Sequence, residues 1–149
     1  MLLPGQIAMP GCDPKRIGIY AMSFGVSTAL LTNLTNLTNI RSLCLVGGIG
    51  FRPKRFIRRF IDRGDKINRK GETRLTRSSG KTMIVQKDFW PSLESLHQED
   101  IVSNLTIPTF VIHGENDTYV LTSDVNKVYH RIGSNLKKLK IYPRCRTRF

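Results

Sequence analysis

Arg16-Ile17-Gly18-Ile19-Tyr20-Ala21-Met22-Ser23-Phe24-Gly25 runs from a short apolar segment straight into a turn with a serine in the middle of it. Arg16 to Tyr20 is rich in β-formers, and the small, helix-compatible run Phe24 to Asn33 begins soon after. Asp13-Pro14, just upstream, is a turn signal that marks where the strand starts. The reading is strand, tight turn, helix.

Downstream, Leu31 to Asn39 repeats Leu-Thr-Asn three times, too little for a solenoid, and reads as a helix end and loop. Ile40 to Val46 reads as a second buried strand, closed by Gly47-Gly48-Ile49-Gly50. Pro53 to Asp62 sets Phe56, Ile57, Phe60 and Ile61 at helical spacing with basic residues on the remaining face. Gly64 to Gly80 is polar and reads as a long loop; Asp88 to Val102 reads as a helix with Pro91 in its first turn. Ile107 to His113 is a third strand, with Pro108 at its start, where a missing N–H does least harm. Gly114 to Asp117 is a turn, Thr122 to Ile132 a helix capped by Thr122 or Ser123, and Lys138 to Tyr142 a fourth strand. Strands alternating with helices predict an α/β fold, a small parallel sheet of about four strands with helices on both faces and right-handed crossovers. In such sheets the chemistry lies at the carboxyl ends of the strands.

Composition sets the outer limits. A chain of 149 residues fits one domain able to bury a core. Its ordinary apolar and charged content excludes collagen-like, fibrous and wholly disordered classes. No run approaches the ~20 apolar residues that cross a bilayer, and Met1-Leu2-Leu3-Pro4-Gly5 lacks a basic segment followed by an apolar one, so a soluble, cytoplasmic chain is expected. Cys12, Cys44 and Cys145, odd in number and without C-x-x-C spacing, read as reduced thiols rather than a disulfide framework or zinc site. The 24 Lys and Arg against 11 Asp and Glu, a formal charge of +13, bring anionic partners or substrates into consideration.

Two loops fall at carboxyl ends of strands, Ala21 to Gly25 and Gly114 to Asp117. A serine between strand and helix, with small residues two before and two after it, fits a nucleophile elbow, whose turn is so sharp that larger flanking side chains collide with their neighbours. Ala21 and Gly25 meet that demand, Ser23 is the candidate nucleophile, and the N–H of Phe24 is the candidate oxyanion donor. The competing reading of Ser23 is a helix N-cap, and that of Asp117 a plain Asx-turn. A carboxylate in a turn on the same sheet edge is positioned to orient an imidazole that serves the serine, and this pairing favours the catalytic reading.

Taken together, Asp13-Pro14-Lys15-Arg16-Ile17-Gly18-Ile19-Tyr20-Ala21-Met22-Ser23-Phe24-Gly25 and Ile107-Pro108-Thr109-Phe110-Val111-Ile112-His113-Gly114-Glu115-Asn116-Asp117 resemble the α/β-hydrolase family, closest to its small esterase, thioesterase and serine-aminopeptidase-like members. The resemblance implies a partial α/β-hydrolase fold, its carboxyl-terminal part only, with Ser23 as nucleophile, Asp117 as triad acid and Phe24 in the oxyanion hole. It implies hydrolysis of an ester, thioester or amide through a Ser23 acyl-enzyme, and no metal or organic cofactor. Ala21 stands where a glycine is more usual, and Val26 where another often follows. The family carries its histidine after the last strand; this chain has Pro143-Arg144-Cys145-Arg146-Thr147-Arg148-Phe149 there. His113 lies in a strand, His130 in a helix and His97 in the insert, and Cys145 is no base for a serine. Without an imidazole Ser23 keeps the high pKa of an alcohol, so impaired or absent activity is expected.

The family's strands ahead of the elbow do not fit in the residues before Ser23, so the expectation is one truncated domain over 1–149 with an open sheet edge beside Arg16 to Tyr20, covered by a partner or by Met1 to Cys12. Residues 52–103 read as a basic insert resembling a cap or lid. Twelve of its Lys and Arg lie between Arg52 and Lys81, against Asp62, Asp65 and Glu72, which suits a solvated loop or a cap over a small anionic substrate. Two rival readings are a non-catalytic fragment or interaction module and a basic nucleic-acid-binding protein. The latter finds no zinc-finger, RNP-like or helix-turn-helix pattern, and no aromatic residues interleaved with the basic runs.

Overall fold

The structure, a computed structural model, describes residues 10–11, 13–32, 39–77 and 79–145. Cys12 and most of the Leu-Thr-Asn repeat lie outside the described residues. Along the chain the elements are β1 (Ile17–Met22), α1 (Phe24–Leu31), β2 (Ile40–Val46), α2 (Pro53–Asp62), β3 (Thr73–Thr76), β4 (Thr82–Val85), α3 (Phe89–Glu94), α4 (Gln98–Ser103), β5 (Thr109–Gly114), α5 (Thr122–Arg131) and β6 (Lys137–Tyr142). They form two compact units, one of residues up to Phe51 and from Gln98 onward, the other of Arg52–His97.

The first unit is a four-stranded parallel sheet in the order β1-β2-β5-β6. One row of paired positions, Ala21, Leu45, Val111 and Leu139, crosses it from edge to edge. The first three of these side chains are buried in the same core as Val26 and Leu30 of α1, Val102 of α4, and Val125 and Val128 of α5. The next row, Tyr20, Cys44, Phe110 and Lys138, points the other way, as period-two alternation requires. Tyr20 is 65% exposed and Met22 45%.

The parallel sheet with helices matches the sequence expectation, and among the described residues of this unit α1, α4 and α5 lie on one face. α1 packs on β1 and on α4, α4 on α5, and α5 on β5, a single continuous layer. The physical reason is topological: the chain crosses the sheet in one direction without reversing, so right-handed connections all deliver their helices to the same side.

In the second unit α2 covers the residues its apolar spacing predicts. Pro53 stands in its first turn, where a missing N–H costs nothing, and Ile57 and Phe60 are buried while Lys54 and Arg58 face solvent. The polar stretch read as a loop over Gly64 to Gly80 instead contains β3, which pairs antiparallel with β4. Thr73 and Leu75 alternate inward while Arg74 and Thr76 face out, and the Asp65 carboxylate accepts bonds from the Thr76 N–H (3.1 Å) and hydroxyl (3.0 Å). The single helix expected over Asp88 to Val102 is two, α3 and α4, with buried Leu96 in the break. α5 is preceded by Leu121 rather than capped by Thr122 or Ser123. No helix among the described residues is long and apolar enough to cross a membrane.

Candidate active site

β1 runs to Met22 and α1 starts at Phe24, so Ser23 alone makes the turn. Its backbone has φ 54° and ψ −125°, and its hydroxyl makes no capping hydrogen bond. The Ser23 N–H donates to the Val46 carbonyl at 2.8 Å, extending the β1–β2 ladder by one step, and its own carbonyl accepts the Val26 N–H at 3.1 Å. An L-residue at positive φ in this region costs on the order of 1–3 kcal/mol and persists only where neighbours over-determine it. Ala21, 7% exposed, points into the core two residues before the serine.

The steric demand expected at Gly25 is absent: a Cβ there would meet nothing within 4 Å among the described residues, because Gly25 faces outward on the first turn of α1. The close approach is made instead by Gly48, in the loop after β2. A Cβ on Gly48 would collide with the Ser23 carbonyl oxygen and stand 2.7 Å from Val26 Cβ. That loop is held by Gln98, buried at the start of α4. The Gln98 carbonyl oxygen accepts the N–H groups of Gly50 (2.8 Å) and Phe51 (3.1 Å), and its amide donates to Ser27 Oγ (3.1 Å) and the Gly48 carbonyl (3.0 Å). Gly48 reads in the sequence as part of the turn that closes β2, and no local pattern marks Gln98. Beside the serine, the Phe24 and Phe51 rings meet edge to face at 6.0 Å.

Asp117 lies three residues beyond β5 and is 5% exposed. Its Oδ1 accepts the N–H groups of Tyr119 (2.7 Å) and Val120 (3.0 Å), and its own N–H donates to the Gly114 carbonyl at 3.2 Å. The loop has the Asx-turn geometry that was the alternative reading, and it fixes the carboxyl group at the sheet edge. His113, 1% exposed on β5, has Nε2 2.9 Å from the Val120 carbonyl, and since the carbonyl can only accept, the ring donates through Nε2–H.

Ser23 and Asp117 thus follow β1 and β5 at the carboxyl edge of one sheet, and the two strands, with β2 between them, stand two strand spacings or roughly 10 Å apart. The segment after β6 is stitched to the Asp117 loop: the Glu115 and Asn116 N–H groups donate to the carbonyls of Tyr142 and Cys145, each at 2.9 Å. None of the three histidines follows β6. His113 is engaged as described, the His130 ring lies against Tyr129 on α5, and His97 belongs to the second unit. An open depression of about 500 Å³ bordered by Ser42, Pro108 and Lys137 lies at the opposite, amino edge of the sheet.

No protein-family model and no curated protein is significantly similar to this sequence. Solved structures are similar in fold. Est1E from Butyrivibrio proteoclasticus superposes with a TM-score of 0.67 at 19% identity over 89% of this chain and 53% of its own. The esterase domain of a Rhodothermus marinus protein gives 0.63 at 16% identity, covering 87% and 52%. A serine hydrolase of carbazole degradation gives 0.54 at 14% identity, covering 91% and 58%. The chain has part of the α/β-hydrolase fold. It spans about half the length of the first two α/β-hydrolase structures named here.

Proposed function

We propose that this chain is a serine hydrolase of the α/β-hydrolase type, acting on an ester, thioester or amide of a small molecule through a Ser23 acyl-enzyme. The observation that carries the reading is the backbone of Ser23. A helix-capping serine has extended backbone and spends its hydroxyl on the helix; this one has positive φ and caps nothing, as a nucleophile elbow requires.

In the reaction Ser23 Oγ attacks the carbonyl carbon as its proton passes to a base. The oxyanion forms at the Phe24 N–H and the start of α1, where the helix dipole favours negative charge. Collapse of the tetrahedral adduct expels the alcohol, thiol or amine, which takes up the proton, and water then cleaves the acyl-enzyme. Asp117 orients the imidazole bridging it to Ser23. The residues from β6 to Phe149 include no histidine, so the test below supplies the imidazole from solution.

The test is labelling by a fluorophosphonate, together with hydrolysis of a p-nitrophenyl ester, with and without added imidazole. Slow labelling that imidazole accelerates and that Ser23→Ala abolishes is the expected result. Labelling unchanged in Ser23→Ala overturns the assignment. With His113 bonded to the Val120 carbonyl, a second reading is a non-catalytic module that keeps the sheet; it predicts no labelling of Ser23 at any imidazole concentration.

A further inference from the structure

We infer that Gln98 is the positioning residue of the Ser23 turn: its buried amide clamps the loop after β2 beneath the serine and keeps the serine in its strained backbone. The functional meaning rests on the reading of Ser23 as nucleophile; the clamp itself rests on geometry. Gln98 is 3% exposed and uses both faces of its amide, accepting the N–H groups of Gly50 and Phe51 and donating to the Gly48 carbonyl and Ser27 Oγ. Three of those partners belong to the one loop, Gly48 to Phe51, and the fourth stands on α1, one turn after Ser23. A side chain reaching across 47 to 71 residues of sequence to satisfy three buried polar groups and one partly buried one fixes their relative position, because moving one strands a donor or acceptor away from water.

What is fixed bears on the serine directly. Gly48 sits where even a methyl group would strike the Ser23 carbonyl oxygen, and that same oxygen accepts the Val26 N–H. With Gly48 pinned from below by Gln98 and Val46 holding the Ser23 N–H from the side, the peptide groups flanking the serine have no room to rotate toward a relaxed conformation. Ser27, bonded to Gln98, ties the first turn of α1 to the same clamp. A turn that over-determined presents a hydroxyl in one place, which a nucleophile needs and a loop serine does not.

A thermodynamic cycle tests the clamp without requiring activity. Glycine accepts positive φ freely, so Ser23→Gly releases the strain wherever the surroundings impose it. In the chain with Gln98 intact, Ser23→Gly is expected to raise the folding equilibrium constant about three-fold, measured by urea unfolding. In a Gln98→Met background the turn relaxes by itself, and the gain from Ser23→Gly disappears or reverses. An equal gain in both backgrounds overturns the proposal. Should Gln98→Met fail to fold, Ser27→Ala removes only one of the four contacts and is expected to shrink the gain; an undiminished gain there overturns the proposal equally. In parallel, fluorophosphonate labelling of Ser23 is expected to slow about ten-fold in Gln98→Met. A chain that is never labelled sinks the nucleophile reading while the cycle still decides the clamp.

Discussion

His113 and Asp117 grip one residue from both sides. Val120 gives its N–H to the Asp117 carboxylate at 3.0 Å, and its carbonyl lies 2.9 Å from His113 Nε2. The strand residue and the loop residue are therefore joined through the backbone of a single residue, so a shift of the carboxylate is passed through Val120 to a buried ring.

That junction makes His113 structural and gives a first prediction. His113→Leu leaves the Val120 carbonyl unpaired in a buried setting and is expected to cost about 1–3 kcal/mol in a denaturant titration. His113→Gln keeps a donor on a side chain of similar reach and is expected to recover most of that loss. Equal losses in the two variants would mean that ring packing, not the hydrogen bond, holds the loop.

The two glycines near the serine have opposite expectations. Gly25→Ala fills open space in a helix and is expected to stabilise by about 0.5–1 kcal/mol, since alanine costs less conformational entropy there. Gly48→Ala drives a methyl group into the Ser23 carbonyl and is expected to destabilise by about 1–3 kcal/mol. Thermal unfolding of both variants checks this; a motif-driven demand for glycine at position 25 would reverse the order.

Asp117 can be separated into its structural and chemical parts. Asp117→Asn retains an oxygen to accept the Tyr119 and Val120 N–H groups, so its Tm is expected to fall by only a few degrees. Asp117→Ala loses both bonds and is expected to lose about 1–3 kcal/mol. Imidazole-assisted labelling of Ser23, where the carboxylate orients the base, is expected to drop in both variants alike. If Asp117→Asn labels as fast as the parent chain, the acid role is withdrawn.

In the second unit the Arg69 guanidinium, 2.7 Å from the Glu94 carboxylate, donates a hydrogen bond that lowers the Glu94 pKa below the usual carboxylate value. A lowered folded-state pKa contributes stability above the unfolded value and loses it as pH falls through the folded one. The pair is exposed, so the effect is small and salt-screened. Glu94→Gln is expected to leave Tm near neutral pH almost unchanged and to reduce its fall in acid below about pH 4 at low salt. A larger acid-induced fall in the variant than in the parent would reverse that sign.

Much of the first unit was legible because its signals are local. β2 occupies the residues expected, as α2 does in the second unit; β1 spans Ile17–Met22 rather than Arg16 to Tyr20 and β5 Thr109–Gly114 rather than Ile107 to His113, both reaching further toward the edge where the loops of interest begin. The hairpin of β3 and β4 was not legible, since β3, four residues with Thr73 inward and Arg74 outward, resembles a polar loop, and β4 is as short. The loops carrying Ser23 and Asp117 could be set on one edge from strand order alone. The neighbours that shape the serine turn could not: Gly48 and Gln98 act through contacts between distant parts of the chain, and no periodicity announces an amide that will fold back onto them.

A sheet crossed in one direction only turns one face toward its helices and the other away from them. Among the described residues the second face presents Tyr20, Met22 and Tyr142, each at least 45% exposed, while the chain as a whole carries +13. Like-charge repulsion opposes contact between copies, and its reach contracts from about 30 Å at 0.01 M salt to about 3 Å at 1 M. Colloidal behaviour is therefore expected to depend on electrolyte, with self-association rising as concentrated salt screens that charge.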